Sequence, residues 1–290
     1  MTAAPKLALG TVQFGLPYGI SNSRGQVPPA EAAQMLRLAA ASGVDVLDTA
    51  QAYGSSEEVL GDILSAGQLD FRIVTKLKRG PEGAVSAAPS LKRLKRERVY
   101  GLMLHSFAEY CRAPEIYGEL LRAKSLGLAE RTGFSVYSPS EAERLLDAGV
   151  SFDILQFPYN IFDRRFDALM PRLKAAGVEL HVRSVFLQGL LLLDPAALNP
   201  YFTAVKEKLS ALRGAAAAAG TSMTRLCLAA VKANGLIDRV VVGVASLAEL
   251  KANLEDFAGA PAPAGALAAA LEKCRVDDES IINPALWKPL

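Results

Sequence analysis

The feature that most constrains this chain is an alternation. Short runs of apolar and β-branched residues recur eight times, and stretches of helical pattern separate them. The runs are LALGT at 7–11, VDVLD at 44–48, RIVTK at 72–76, VYGLMLH at 99–105, RTGFS at 131–135, FDILQ at 152–156, VELHVRS at 178–184 and RVVVG at 239–243. Bounded by glycine and polar punctuation and too short for helices, they read as buried strands. Among the intervening stretches, PPAEAAQMLRLAAASG opens on prolines and closes on Gly43, and FDALMPRLKAAG closes on Gly177, with Pro171 either kinking that helix or starting it. Ala215 to Ala219 read as helix, because alanine is the best helix former, and GAPAPAG reads as a loop. Eight strand–helix units in 290 residues predict one α/β domain over residues 1–290, a (β/α)8 TIM barrel.

Charge narrows the function classes. The formal net charge of +2 comes from 32 basic and 30 acidic residues mixed along the chain, which gives no footprint for nucleic acid or an anionic membrane. The one basic cluster, LKRLKRERV, carries Leu91 and Leu94 at helical spacing and reads as a solvated helix face. Cys111, Cys227 and Cys274 are odd in number and far apart, which argues against a disulfide framework and a zinc site and favours a cytoplasmic protein. No leader-like segment and no apolar span of 18 residues is present, and the oligomeric state is left open.

In a barrel of this kind the chemistry gathers where the strands end, because the following loops converge on one mouth. The predicted strands end at Thr11, Asp48, Lys76, His105, Ser135, Gln156, Ser184 and Gly243, mostly hydrogen-bonding or ionisable residues after apolar runs. The stretch LDTAQAYGSSEEVLG adds Tyr53 five residues beyond Asp48. Each has an ordinary structural explanation: Asp48 and Lys76 as an ion pair, His105 as a satisfied core histidine, Tyr53 as packing, and Ser55 with Glu58 as a capping box. Together they are harder to explain that way, since burying opposite charges at one layer seldom favours stability alone. His181, inside its strand rather than at its end, reads as barrel packing. Chemically, an ammonium beside a phenol stabilises the phenolate and lowers the phenol's pKa, and a histidine nearby can fix a substrate oxygen. The set suits giving a proton to a carbonyl oxygen while a nicotinamide cofactor supplies hydride to carbon. GxGxxG, GxxxxGK[ST] and GxSxG signatures are all missing, and two histidines cannot build a multi-histidine metal site.

These residues resemble the aldo-keto reductase family. The resemblance runs from LALGTVQFG through LDTAQAYGSSEEVLG, IVTKL, GFSVYS, LQFPYN and RSVFLQGLLL to VVVGVASLAELKANL. It implies Asp48, Tyr53, Lys76 and His105 as a catalytic tetrad with Tyr53 as the general acid. It implies cofactor contacts from Gly10, Thr11, Ser135, Gln156, Arg183, Ser184, Phe186, Gln188, Gly243, Ser246, Glu249 and Asn253. NADP(H) is the expected cofactor, its pyrophosphate near Ser184 to Gly189 and its adenine end near Gly243 to Asn253, where a helix N-terminus would help hold phosphate.

Four departures from the family pattern bear on detail. Val136 stands where the family commonly has asparagine, and Arg183 where it often has an aromatic ring stacked on the nicotinamide. Ala245 and Glu249 stand where it often has basic or amide partners for the 2′-phosphate, which keeps NAD(H) open. The implied activity is reduction of a small-molecule aldehyde or ketone, with a NAD-dependent sugar or alcohol dehydrogenase and a cofactor-sensing subunit as alternatives. Phe14, Tyr18 and Phe107 are candidate pocket walls, and the scarcity of aromatics after His105 favours a polar substrate such as a sugar. The tail INPALWKPL, with the chain's single tryptophan, either packs beside the pocket or covers the outside of the barrel.

Overall fold

Strand β1 (Lys6–Gly10) is followed by β2 (Val46–Asp48), β3 (Arg72–Leu77), β4 (Val99–Leu104), β5 (Ala129–Ser135), β6 (Ile154–Pro158), β7 (Glu179–Arg183) and β8 (Arg239–Gly243). These come from a computed structural model that describes residues 6–80, 85–259 and 261–287. Each strand pairs in parallel with the next, and β8 pairs with β1, so the sheet closes into the expected (β/α)8 TIM barrel and leaves no edge. Every run expected to be a strand is one, with ends shifted by no more than two residues.

The helices are α1 (Pro29–Ala41), α2 (Ser56–Gly67), α3 (Ala88–Leu94), α4 (Phe107–Arg112), α5 (Ile116–Ser125) and α6 (Pro139–Asp147). They continue with α7 (Met170–Ala175), α8 (Lys206–Ala218), α9 (Met223–Lys232), α10 (Leu247–Gly259), α11 (Gly265–Lys273) and α12 (Glu279–Ile282). Gly43 and Gly177 follow α1 and α7 with φ of 79° and 78°, the left-handed conformation that ends a helix without strain. Pro171 lies in the first turn of α7, so it starts the helix. The GAPAPAG loop joins α10 to α11, with position 260 outside the described residues.

The pleat of each strand sets what faces the barrel axis. Residues two apart share a face, and Ala8, Val46, Val74, Met103, Ile154 and Val241 form an apolar cluster inside the barrel. One step further along the same faces come Gly10, Asp48, Lys76, Gln156 and Gly243. One step back come Arg72, Glu179 and Arg239, which form a polar floor: Arg72 and Arg239 both reach Asp45, and Glu179 accepts from Tyr100 at 2.6 Å. His181 is fully buried between floor and mouth and bonds Glu179 through Nε2 at 3.0 Å, so it packs the barrel as expected. A separate, larger apolar core fills the space between the sheet and the helices.

Three local expectations fail. Ser55 precedes α2 but makes no capping bond; its Oγ accepts from Gln26 at 3.1 Å instead, and Ser56 turns inward to donate to the Thr11 carbonyl at 2.8 Å. The basic cluster is not wholly solvated, because Arg93 bends back onto Glu57, whose carboxylate is 1% exposed and also accepts from Thr75 at 2.6 Å. The lid reading of the tail fails too: the Trp287 ring packs edge-on against Phe202, centroids 4.9 Å apart, and its Nε1 donates to the Ile281 carbonyl. Trp287 is absent from the lining of the mouth cavity, and positions 288–290 lie outside the described residues.

Candidate active site

The mouth layer is built around one buried ion pair. Lys76 donates from Nζ to Asp48 Oδ2 at 2.6 Å and to the Thr49 carbonyl at 3.0 Å, with both charged side chains nearly inaccessible. The other Asp48 oxygen accepts from Gln156 Nε2 at 2.7 Å, so the carboxylate is held from two sides of the barrel. Tyr53 lies on the loop after β2, its ring centroid 4.9 Å from Lys76 Nζ. His105, the first residue beyond β4, meets that ring edge-on with centroids 5.8 Å apart.

Two glycines hold the tyrosine's loop in place. Gly15, after the first strand's short helical turn, lies so close that a Cβ there would stand 1.8 Å from the Tyr53 carbonyl oxygen. Gly54 answers from the other side: its φ is +54°, and a Cβ would come within 2.3 Å of the Gly15 carbonyl oxygen.

Burial dominates the titration of these groups. Burial would push Lys76 down, yet Asp48 beside it holds the ammonium above its ordinary pKa, so it stays charged. Tyr53 corrects the expectation of a lowered phenol: burial outweighs the pull of Lys76, and its pKa is raised, so the phenol rests protonated. His105 is lowered to about 4 by burial and then by Lys76 and Arg183, which leaves it neutral around pH 7.

Above this layer opens a cavity of about 460 Å³ that runs from the four residues to α10. Gly10, Thr11, Ser135, Arg183, Ser184, Phe186, Gln188, Gly243, Glu249 and Asn253 line it, as do Asp48, Tyr53, Lys76 and His105. Gln156 and Ser246 do not. Gln156 is fully buried in the mouth layer, where it holds Asp48, and the Ser246 hydroxyl accepts from the Glu249 amide at 3.1 Å. Of the candidate walls, Tyr18 lines the cavity, whereas Phe14 and Phe107 are buried core.

Several lining residues escaped the sequence reading: Gln13, Tyr137, Thr224 and Asp256. The loop after β7 has Ser184, Leu187 and Gln188 at φ of 61°, 49° and 54°, a strained path for residues with side chains. Gln188 ties it across the mouth, donating from Nε2 to the Tyr18 hydroxyl at 2.9 Å while its carbonyl accepts from the Ile20 amide.

The α10 end of the cavity differs from expectation. The amides of Ala245 and Leu247 are already taken, by Glu249 at 2.7 Å and by Glu31 at 2.9 Å. Two carboxylates therefore occupy the positions at which a helix N-terminus would receive phosphate. The described basic residues lining the whole cavity are Lys76 and Arg183, and no cluster of His, Cys, Asp and Glu able to hold a metal occurs among the described residues.

Residues 6–262 match the model of the Aldo/keto reductase family. L-galactose dehydrogenase of Arabidopsis thaliana is 28% identical over 271 residues, covering 86% of this chain and 84% of that protein. Among solved structures, a Pseudomonas aeruginosa protein described as a candidate aldo-keto reductase superposes with a TM-score of 0.67 at 25% identity, over 89% of this chain and 91% of the other. An aldo-keto reductase from Bacillus halodurans in its holo form gives 0.72 at 21% identity, over 93% and 92% of the two chains.

Proposed function

The chain belongs to the aldo/keto reductase family, and from that premise we propose that it is a nicotinamide-dependent oxidoreductase acting on a small, sugar-type aldehyde or ketone, or on the corresponding alcohol in reverse. One observation carries the proposal: Asp48, Lys76, Tyr53 and His105, drawn from three strand ends and a loop, meet at the closed end of one long cavity. L-galactose dehydrogenase, as a relative, supports the sugar class.

The residues divide the work as follows. A substrate oxygen set between Tyr53 and His105 accepts a hydrogen bond from neutral His105 and a proton from the Tyr53 hydroxyl. Lys76 stabilises the phenolate that remains, and Asp48 keeps Lys76 charged and in place. Gln156 keeps Asp48 from turning. The nicotinamide, when bound, supplies the hydride for reduction. In the oxidative direction the Tyr53 phenolate takes the alcohol proton.

The cavity walls fit such a cofactor. Gln13, in the cavity wall, presents a buried side-chain oxygen with no protein partner, which suits a ligand bringing amide or hydroxyl donors. Gly10, Thr11, Ser135, Ser184, Val185, Phe186, Gln188, Gly243 and Asn253 would hold its length. At the α10 end, Glu249 and Glu31 meet any added anion with like charge, and Arg225 nearby is committed to the Gly259 carbonyl and Asp256. This favours NAD(H) at least as much as NADP(H). Cys227 and Cys274, both buried with their thiol pKa values raised by burial, accord with a cytoplasmic setting.

Fluorescence titration with NADH and NADPH tests the cofactor, and the loss of reduced-cofactor absorbance with a panel of aldehydes and sugars tests the reaction. The expected result is dissociation constants within about tenfold of each other and turnover of polar carbonyls. A strong NADPH preference would contradict the reading of the α10 end, and no turnover with any carbonyl or sugar alcohol would contradict the function.

A further inference from the structure

Arg183 ends β7 at the mouth, two residues beyond buried His181 on the same face. Its side chain turns back toward β5. The guanidinium carbon lies 4.3 Å from the centroid of the Tyr137 ring, Nη2 donates to the Val136 carbonyl at 3.2 Å, and Nη1 donates to Ser184 Oγ at 3.3 Å. Stacking and two bonds fix the plane of the fork and leave most of its five N–H donors without a protein acceptor. No carboxylate among the described residues pairs with it.

The charges around Arg183 make that cation stand out. Lys76 is neutralised by Asp48 at 2.6 Å, and His105, Tyr18 and Tyr53 line the chamber without a formal charge at neutral pH. Apart from Asp48, paired with Lys76, the acids of the cavity are Glu249 and Asp256, which belong to α10, beyond β8. In the order β5, β6, β7, β8 around the barrel, the Arg183 fork leans to one side of its strand and the α10 end of the cavity lies on the other. The guanidinium is near enough to His105 and Tyr53 for its charge to act on both. Its field also helps hold the nearby His105 neutral.

We propose that Arg183 is a specificity-determining residue that receives a carboxylate on the substrate, so that acidic carbonyl compounds such as uronic or oxo acids are preferred to neutral sugars. This deepens the oxidoreductase reading and rests on it. A planar fork matches a carboxylate two donors to two acceptors, and a single cation balances one negative charge. A phosphate ester presents the same oxyanion chemistry but up to two charges.

The test compares D-galacturonate, D-galactose and D-galactose 6-phosphate in the wild type, Arg183→Leu and Arg183→Lys. The wild type is expected to favour galacturonate over galactose by about tenfold or more in kcat/KM, through KM. Arg183→Leu should erase that ratio, and Arg183→Lys should restore part of it. Calorimetry of methyl galactosiduronate, whose blocked anomeric carbon can be neither reduced nor oxidised, with cofactor-loaded protein reads the same contact without turnover and should show binding about tenfold weaker in Arg183→Leu. Equal handling of acid and neutral sugar by the wild type, a preference for the phosphate ester, or an Arg183→Leu loss that falls on cofactor affinity instead would each overturn the assignment. Arg183-dependent binding of methyl galactosiduronate without turnover of any sugar would count against the oxidoreductase reading and leave the carboxylate site standing.

Discussion

Gly15→Ala is a single methyl group aimed at the position of the general acid. The added Cβ would stand 1.8 Å from the Tyr53 carbonyl oxygen, 2.5 Å from the Ser56 amide and 2.9 Å from the Ser55 amide, all backbone atoms with no rotamer to escape through. Restoring ordinary contact separates the two loops by more than about 1 Å, and the segment that moves is the one carrying Tyr53. A displacement of that size at a reacting group costs on the order of 100-fold in rate. Overpacking adds a loss of about 1–3 kcal/mol in stability.

The assay is single-turnover cofactor oxidation with saturating substrate, alongside thermal melting and cofactor titration. Expected are a kcat near one hundredth of wild type, a modest fall in Tm and nearly normal cofactor affinity. Gly118→Ala is the control, since its Cβ meets nothing within 4 Å. Gly54→Ala, forced against a φ of +54°, should reproduce the defect from the opposite side. A Gly15→Ala enzyme with wild-type kcat and Tm would refute the argument that these two glycines position the tyrosine.

Other expectations follow from the same site and its floor. Because His105 titrates at about 4, the pH profile of kcat/KM for reduction should show no ionisation near pH 6.5, and one that disappears in His105→Gln would contradict its neutral role. Burial alone would raise Glu179, but His181, Tyr100 and Arg131 hold it down to about 2. Its folded pKa is below the unfolded one, so its contribution is complete above about pH 4.5 and is lost as pH falls toward 2. Urea unfolding across that range should be less pH-dependent in Glu179→Gln, and an unchanged slope would rule this out. Trp287→Ala should lower stability by about 1–3 kcal/mol through its contact with Phe202 while leaving KM unaltered; a shifted KM would revive the lid.

Much of the barrel was legible because strand burial and glycine punctuation are local signals. The two-residue pleat that puts Val74 inside the barrel puts Lys76 at its mouth and Arg72 at its floor, so the strand-end rule found the ion pair without any long-range information. The failures share one cause, contacts between segments distant in sequence. Glu31 caps the Leu247 amide across 216 residues, and no local pattern marks a carboxylate in α1 as part of the α10 end of the cavity. Arg93 was read as a solvated charge because Glu57, its buried partner, lies 36 residues earlier.

Within the site, the missed residues are those whose role depends on where a loop returns. Tyr137 is an ordinary post-strand aromatic until Arg183 stacks on it. Gln156 was expected at the cavity wall, and its donation to Asp48 across 108 residues keeps it fully buried instead. The direction of the Tyr53 shift was misjudged because the sequence names the ammonium that lowers a phenol's pKa and is silent on the depth of burial that raises it.

The central claim is that Tyr53 gives the proton while Lys76 and Asp48 support it, and Tyr53→Phe tests it most directly. The substitution deletes one hydroxyl and keeps the ring against His105. Single-turnover oxidation of bound reduced cofactor should slow by about 100-fold or more, with the cofactor dissociation constant nearly unchanged. A Tyr53→Phe protein that oxidises the cofactor at the wild-type rate would contradict the account.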